Sequence, residues 1–550
     1  SRHKEVRSHH RHRAGKMRCM KTLSTPLDLP DDVQALKAHI GELELALAER
    51  DATIESLHEQ VRMSLTRRFT PSSERVLDAQ LGLFNEAESL DDGGDEEPAP
   101  CAGDASQSDT VVVPAHERRR GKRAPLPANL PRVDVVHALS DEERHCPHDG
   151  TELEVFDEQT CEQLDIVPAK IQVLHHRRLK YRCPCCRKHL VTAPMPAQPI
   201  PKSQASPGLL AYVATAKFVD ALPLYRQSTQ FERIKAPIPK QTLARWMVRC
   251  GQVVQPLINF LRDELLSQTY IHVDESTLQV LKEPGRDAQS KSYMWVQVSG
   301  ERERPVVLFD YDPSRSGEVP KRLLGDFRGY LHTDGYAGYN ALVRDNQLMH
   351  VQCMAHARRF FVDGLKALGL KPSKLPAKTP QKAKRLRKGL EFIRTLYVIE
   401  RRLRDKPPDE RQQQREQYSR PVIDKLYQWV EKTQTTVNDK SKLGRGLAYL
   451  HNHRDGLTRF IEDGRLEIDN NRAENAIRPF TVGRKNFLFA DTVAGANASA
   501  NLYSLIETAK ANGHEPYAYL RRVLTELPKA TTVEHVEALL PWNITATELP

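Results

Sequence analysis

Asp274 follows the apolar run Tyr270, Ile271 and Val273, and Asp334 follows Tyr330, Leu331 and His332 and precedes Gly335. Both spacings place a carboxylate at or near the end of an apolar strand. A charge there is costly unless something pairs with it. Two such acids on neighbouring strands would make a cation site, and magnesium is held by one or two carboxylates together with substrate phosphate. Two ions about 4 Å apart can stabilise both the attacking and the leaving oxygen of an in-line phosphoryl displacement. That chemistry usually needs a third carboxylate. Glu474, in the phrase NNRAENAIRPF, is the best placed, in the first turns of a helix that Asn470 and Asn471 would cap. Around it stand Arg472, Arg478, Arg484 and Lys485, suited to phosphates beside a cut. The plainer reading is a surface pair between Glu474 and Arg478 at i, i+4. Glu275, Asp310, Asp312, Glu467 and Asp469 are also near, so spacing alone does not choose the three.

The elements that must position these acids are legible in outline. TYIHVDESTLQVL, SYMWVQVSG, RPVVLFDYD and GYLHTDGYAGY read as strands rich in Val, Ile, Leu, Tyr and Phe, with a helix near Gly317–Leu324. LMHVQCM reads as a further strand before a helix near Ala355. Residues 365–460 have helical spacing, as in Leu390, Ile393, Leu396, Tyr397 and Leu403, and read as a helical insertion. The α/β pattern then resumes, and a helix near Leu502–Lys510 stops at Asn512-Gly513. Residues 207–258 read as helices interrupted at Pro237 and Pro239, a helix-turn-helix shape that any α-rich protein can also display. Their basic residues Lys217, Arg226, Lys240 and Arg245 are candidates for phosphate contact.

Cys183 and Cys186 form C-x-x-C, and Cys146 lies 37 residues upstream of Cys183 in CPHDG. Two such knuckles can build a tetrahedral zinc site. Cys146, His148, Cys183 and Cys186 form one feasible set, with Asp149 as a weaker substitute for His148; a degenerate module without metal is the alternative. Cys353 and His356 are only one C-x-x-H pair and cannot fill a tetrahedral site. Cys353 is expected to be buried at a strand end, neither residue is assigned a catalytic role, and Arg358 and Arg359 are expected to face DNA or an acidic partner.

The 550 residues imply several domains. Lys plus Arg number 82 against 72 Asp plus Glu, a formal charge of +10 that suits nucleic acid without proving it. No apolar run is long enough for a membrane span, and no secretory leader is evident. The nine cysteines do not form a disulfide framework, and a cytoplasmic protein is expected. The chain does not open on Met; Met17 or Met20 would be natural starts. Val33, Leu36, Ile40, Leu43, Leu47, Arg50, Ile54, Leu57 and Val61 alternate steps of three and four, a heptad pattern that predicts a coiled coil and hence a homo-oligomer. A single amphipathic helix is the alternative. Residues 88–115 are expected to be disordered, and the cluster Arg118–Arg123 is either phosphate-binding or merely solvated.

HVDESTLQVL, YLHTDGYAGYN, CMAHARRFF and DNNRAENAIRPFTVGRKNFLFA resemble the transposases of insertion-sequence 66-type bacterial elements. So do SPGLLAYVATAKFVDALPLYRQ and LYSLIETAKANGHEPYAYL, and the resemblance runs from about residue 28 to 530. It implies a multidomain α/β plus α protein with an RNase H-like (retroviral-integrase-like) catalytic core. Asp274, Asp334 and Glu474 would be its acids, holding two magnesium or manganese ions. The gap of 140 positions from Asp334 to Glu474 would contain the helical insertion. It also implies a zinc-binding module, usually with C-x-x-C in both halves, from which CPHDG departs. The expected order is a basic tail (1–27), coiled-coil helix (28–65), linker (66–130), zinc-binding-like module (131–200) and helical DNA-binding segment (201–262). A first catalytic-core segment (263–364), the insertion (365–460), a second core segment (461–515) and a helical tail (516–550) follow. The implied activity is metal-dependent cleavage at terminal inverted repeats and strand transfer to target DNA, beside accessory proteins of the same element. The alternatives are a regulator that binds DNA without catalysis and a nuclease that cuts without joining.

Overall fold

The computed structural model describes residues 32–69, 148, 171–182, 190–370, 381–545 and 549. The chain divides into two units. One holds the described residues of 90–196 and 230–237, the other the rest. The basic tail, the stretch 88–115 and Arg118–Arg123 lie outside the described residues.

In the smaller unit, β1 (Lys180–Arg182) pairs antiparallel with β2 (Leu190–Thr192), Tyr181 opposite Val191. Cys146, Asp149, Cys183 and Cys186, and with them the proposed zinc ligand set, lie outside the described residues; His148 is an exposed turn residue.

In the larger unit, the heptad stretch is one continuous helix, Val33–Phe69. Val33, Ile40, Leu43, Leu47, Ile54, Leu57 and Val61 on it are all exposed. The helices Pro207–Phe218, Leu224–Arg233 (its residues up to Thr229), Lys240–Val253 and Gln255–Ser267 follow. Ser206 caps the first, its Oγ accepting the Leu209 N–H at 3.2 Å, with Pro207 at the first helical position. Pro237 and Pro239 fall between the second and third.

The sheet is built of β3 (Tyr270–Lys282), β4 (Lys291–Ser299), β5 (Val307–Asp312), β6 (Tyr330–Thr333) and β7 (Met349–Gln352). Their order is β5-β4-β3-β6-β7, antiparallel among the first three strands and parallel from β3 onward. A short β8 (Ala490–Thr492) pairs parallel with the far half of β3. The central β3 begins with four consecutive buried residues, as a strand covered on both faces should.

Helix Val493–Ala511 covers β5. It starts earlier than its apolar pattern indicates, because Thr492 caps it through the Gly495 N–H, and it ends before Gly513 at φ +81°. β5 is the sheet edge, and its buried outer backbone groups need partners. Ser504 Oγ accepts the Phe309 N–H at 2.7 Å. Thr508 Oγ1 accepts the Val307 N–H at 3.0 Å and donates to the Val307 carbonyl at 2.9 Å. Thr508→Val keeps the shape but strands both Val307 groups. It is expected to cost about 1–3 kcal/mol, read as a lower urea midpoint with an unchanged slope. The same helix meets Lys240–Val253 so closely that a Cβ on Gly251 would lie 2.5 Å from the Ala498 Cα.

The insertion is a helical bundle. Helices Met354–Ala367, Gln381–Leu403, Arg420–Gln434 and Lys442–Asn452 bury Phe361, Leu386, Ile393, Leu396, Leu426 and Leu447 in one core. Its polypeptide returns to the sheet through Leu466–Asn470 and enters helix Asn471–Phe487. No helix among the described residues is long and apolar enough to cross a membrane.

Candidate active site

His272 of β3 and His332 of β6 are register partners, and each lies two positions before an acid, Asp274 and Asp334. The rings stack at 4.8 Å between centroids. Tyr270 Oη accepts the Glu467 N–H at 3.2 Å and is hydrogen-bonded to His332 Nδ1 at 2.7 Å. His272 Nδ1 donates to Asn470 Oδ1 at 2.9 Å. Burial pushes His272 down to about 3 and His332 well below its ordinary range, so both are neutral at physiological pH. Alternation along a strand puts Asp274 on the same face as His272, so this uncharged stack is the floor on which the acid stands.

Asp274 is not at a strand end as its apolar run suggests; β3 continues eight residues further, to Lys282. The continuation has partners for its backbone, since Ser276 to Gln279 pair with β4 and Val280 and Lys282 with β8. On its other edge, β6 pairs only as far as His272 and β8 begins only at Val280. Helix Asn471–Phe487 packs into that gap. Asn470 Nδ2 donates to the Val273 carbonyl at 2.9 Å. Arg484 Nη1 donates to the Thr277 carbonyl, to Thr277 Oγ1 at 2.9 Å and to Ser276 Oγ at 3.2 Å. Two side chains thus do for β3 what a neighbouring strand would, and they hold Glu474, in the first turn of the helix, towards Asp274. Asn470 does not cap the helix through its side chain; its Oδ1 and Nδ2 are spent on β3. Asp469 Oδ1 accepts the Asn471 N–H instead, at 3.1 Å.

The surrounding acids are sorted by their partners. Asp310 takes both Oδ atoms to Arg262 at 2.8 Å, Asp312 pairs with Arg322 at 2.7 Å, and Glu467 with Arg472 at 2.6 Å. Glu275 accepts from Arg315 Nε and Tyr339 Oη, both at 2.6 Å. Asp469 is buried under Tyr397 Oη at 2.7 Å, and burial raises its carboxyl to about 7. Asp274 and Asp334 instead accept backbone N–H groups, from Glu275 and Tyr336 at 2.9 Å each. The nearest cation to Asp334 is Arg315 at 4.0 Å, already engaged by Glu275. Burial first, then the negative charges of Glu275, Glu474 and Asp334, push the Asp274 carboxyl well above its ordinary range. Like charges that act on one another, short of cations, with Glu474 Oε1 buried and unpartnered, have the chemistry a hard divalent cation takes. Among the described residues, the one group of potential ligand atoms gathered within 4.8 Å is that of Glu474, His356 and Cys353.

The basic residues divide. Arg226, Lys240, Arg245, Arg359, Arg478 and Lys485 are exposed. Arg358 is partly buried. Lys217, read from sequence as a phosphate contact, lies with its ammonium 4.0 Å over the Phe487 ring, and burial lowers it to about 8. Arg472 is committed to Glu467 and the Ser299 carbonyl, and Arg484 to β3. His356, set aside in the sequence, has its Nδ1 3.9 Å from Glu474 Oε1. Cys353 is fully buried just beyond β7, where its Sγ accepts the Asn470 N–H at 3.2 Å.

A family model described as Transposase IS66 family matches residues 202–498, more than half of the chain. The chain belongs to the IS66 transposase family. Further models of this family match residues 143–187 (zinc-finger binding domain of transposase IS66) and 504–542 (IS66 C-terminal element). A fourth, described as Transposase C of IS166 homeodomain, matches 56–135. Relatives in Sinorhizobium fredii (strain NBRC 101917 / NGR234) include the uncharacterized protein y4jD, 33% identical over 469 residues, covering 82% of this chain and 88% of its own. Uncharacterized protein y4qI of the same organism is 30% identical over 550 residues, covering 94% and 98%. The partners of each acid come from the fold.

Proposed function

We propose that this IS66-family chain is a DDE-type DNA transposase that binds the terminal inverted repeats of its element, cleaves there and joins the freed end to target DNA. The observation that carries the reading is that Asp334, at the end of β6, and Glu474, on a helix that begins 197 residues after Asp274, lie near enough for their charges to raise the Asp274 carboxyl, while the neighbouring acids are matched to cations or hydroxyl donors. The strand order β5-β4-β3-β6-β7, three antiparallel and then two parallel, supports an RNase H-like core. When bound, two magnesium or manganese ions supply activation of the attacking oxygen and stabilisation of the leaving one. The chain's role is to hold three carboxylates in place before substrate arrives. Asn470 and Arg484 fix the helix that carries Glu474, and the neutral stack of His272 and His332 forms the floor beneath Asp274. Arg359, Arg478 and Lys485, all exposed, are the proposed contacts for DNA phosphates, which set affinity and salt dependence more than sequence preference. The exposed apolar stripe of Val33–Phe69 supports self-association as a coiled coil, and Cys146, His148, Cys183 and Cys186 remain the proposed zinc ligands.

The test is a labelled duplex carrying the element's own ends, with magnesium or manganese and any accessory proteins supplied. The expected result is nicking at the ends by the wild type and none by Asp334→Ala. Sequence-specific binding with no cleavage by either protein would sink the enzyme reading in favour of a DNA-binding regulator.

A further inference from the structure

Glu474 Oε1 and His356 Nδ1 are both buried, both lack a hydrogen-bond partner, and face each other at 3.9 Å. That is too far for a hydrogen bond. A buried polar atom without a partner calls for an explanation, and an ion is one of the standard ones. Bonds of about 2.0–2.2 Å from one cation to a nitrogen and an oxygen span such a gap. The ring comes from helix Met354–Ala367, directly after β7, so its position is set by the sheet and not by a mobile loop. Cys353 Sγ belongs to the same cluster, its ligand atom within 4.8 Å of the other two, but it already accepts the Asn470 N–H.

We propose that His356 is a fourth protein ligand of the acid site, giving one of its cations a nitrogen donor through Nδ1 beside Glu474 Oε1. This rests on the transposase reading of the acids and adds a metal preference to it. Magnesium favours oxygen donors, whereas imidazole suits the transition metals. The site should therefore favour manganese over magnesium more strongly than three carboxylates would alone.

The experiment uses the full chain with Mn2+ as the probe. Pulsed EPR at one equivalent is expected to show histidine nitrogen coupling that His356→Ala and His356→Asn remove. Any coupling from the His-rich N-terminus survives in both and is measured as the signal left in Glu474→Gln. Manganese affinity should fall about tenfold in His356→Ala, with magnesium affinity much less affected. The manganese-to-magnesium ratio of end-nicking rates should fall in parallel. Unchanged nitrogen coupling and an unchanged rate ratio in a His356 variant whose thermal melting matches the wild type would overturn the proposal. Loss of coupling in a protein that never nicks element ends would uphold the ligand and refute the transposase reading. Nicking that persists with unaltered coupling would do the reverse.

Discussion

Asp274→Asn is expected to do two opposite things. It should abolish end cleavage, and it should raise the thermal midpoint of the metal-free protein. Several kcal/mol of transition-state charge stabilisation pass through such an acid, so the loss of rate should be about 10^3-fold or more. The stability gain follows from the electrostatics. Burial and the charges of Glu275, Glu474 and Asp334 raise the Asp274 carboxyl above its unfolded value of 3.8. A carboxyl whose folded value is raised binds its proton more tightly in the native state. Its contribution to stability is therefore intact below the ordinary carboxylate range and lost as pH rises towards the folded value. At pH 8 with a chelator the wild type carries that cost, and the asparagine variant does not. The melting midpoint of Asp274→Asn should exceed wild type by about 2 °C or more there. The gap should narrow as pH falls towards 4, and added manganese should stabilise the wild type more than the variant. A variant that melts below wild type at pH 8 in chelator would show that the crowded acids are not a source of strain.

Arg415→Met should be the most damaging substitution outside the acids. Arg415 is fully buried and opens a π-helical turn, Arg415–Ser419. Its Nε and Nη2 bind Glu400 at 2.9 and 2.6 Å. It also donates to the carbonyls of Phe460, Asp463 and Leu466 at 2.6, 3.0 and 2.9 Å. Those carbonyls belong to the segment that leads from the insertion to Asp469, Asn470 and the Glu474 helix. Removing the guanidinium leaves Glu400 with Arg411 alone, at 3.7 Å, and takes a donor from the Phe460 and Leu466 carbonyls, while the Asp463 carbonyl keeps the Leu466 N–H, at an expected cost of about 3 kcal/mol. Arg415→Lys should rescue little, because one ammonium cannot reproduce the fork. The double variant Glu400→Leu/Arg415→Met should recover some of the loss, since neither charge is then buried alone. Urea denaturation reads these costs. Retention of the wild-type midpoint in Arg415→Met would show that the segment is held by packing instead.

Much of the site was legible in the chain itself. HVD at 272–274 and HTD at 332–334 repeat one spacing, a strand histidine two positions before an acid, and NNRAENAIRPF announces a helix with an acid in its first turn. Those features are local, because strand alternation and helix periodicity are local properties of the backbone. The family is legible in the same phrases. What the chain could not express is which side chain meets which. Eight acids are candidates on spacing alone, and only the fold assigns Arg262, Arg315, Arg322 and Arg472 to four of them, across separations of up to 48 residues. Asn470 reads as a helix cap and is a strap on β3, 197 residues away from Val273. Arg484 reads as a phosphate contact and caps a strand edge, because β6 stops early and leaves that edge without a neighbour. The types and order of the reactive groups are therefore properties of the sequence. Their partnerships are properties of long-range burial, where an unpaired polar group is too costly to leave and takes whichever donor the topology brings within reach.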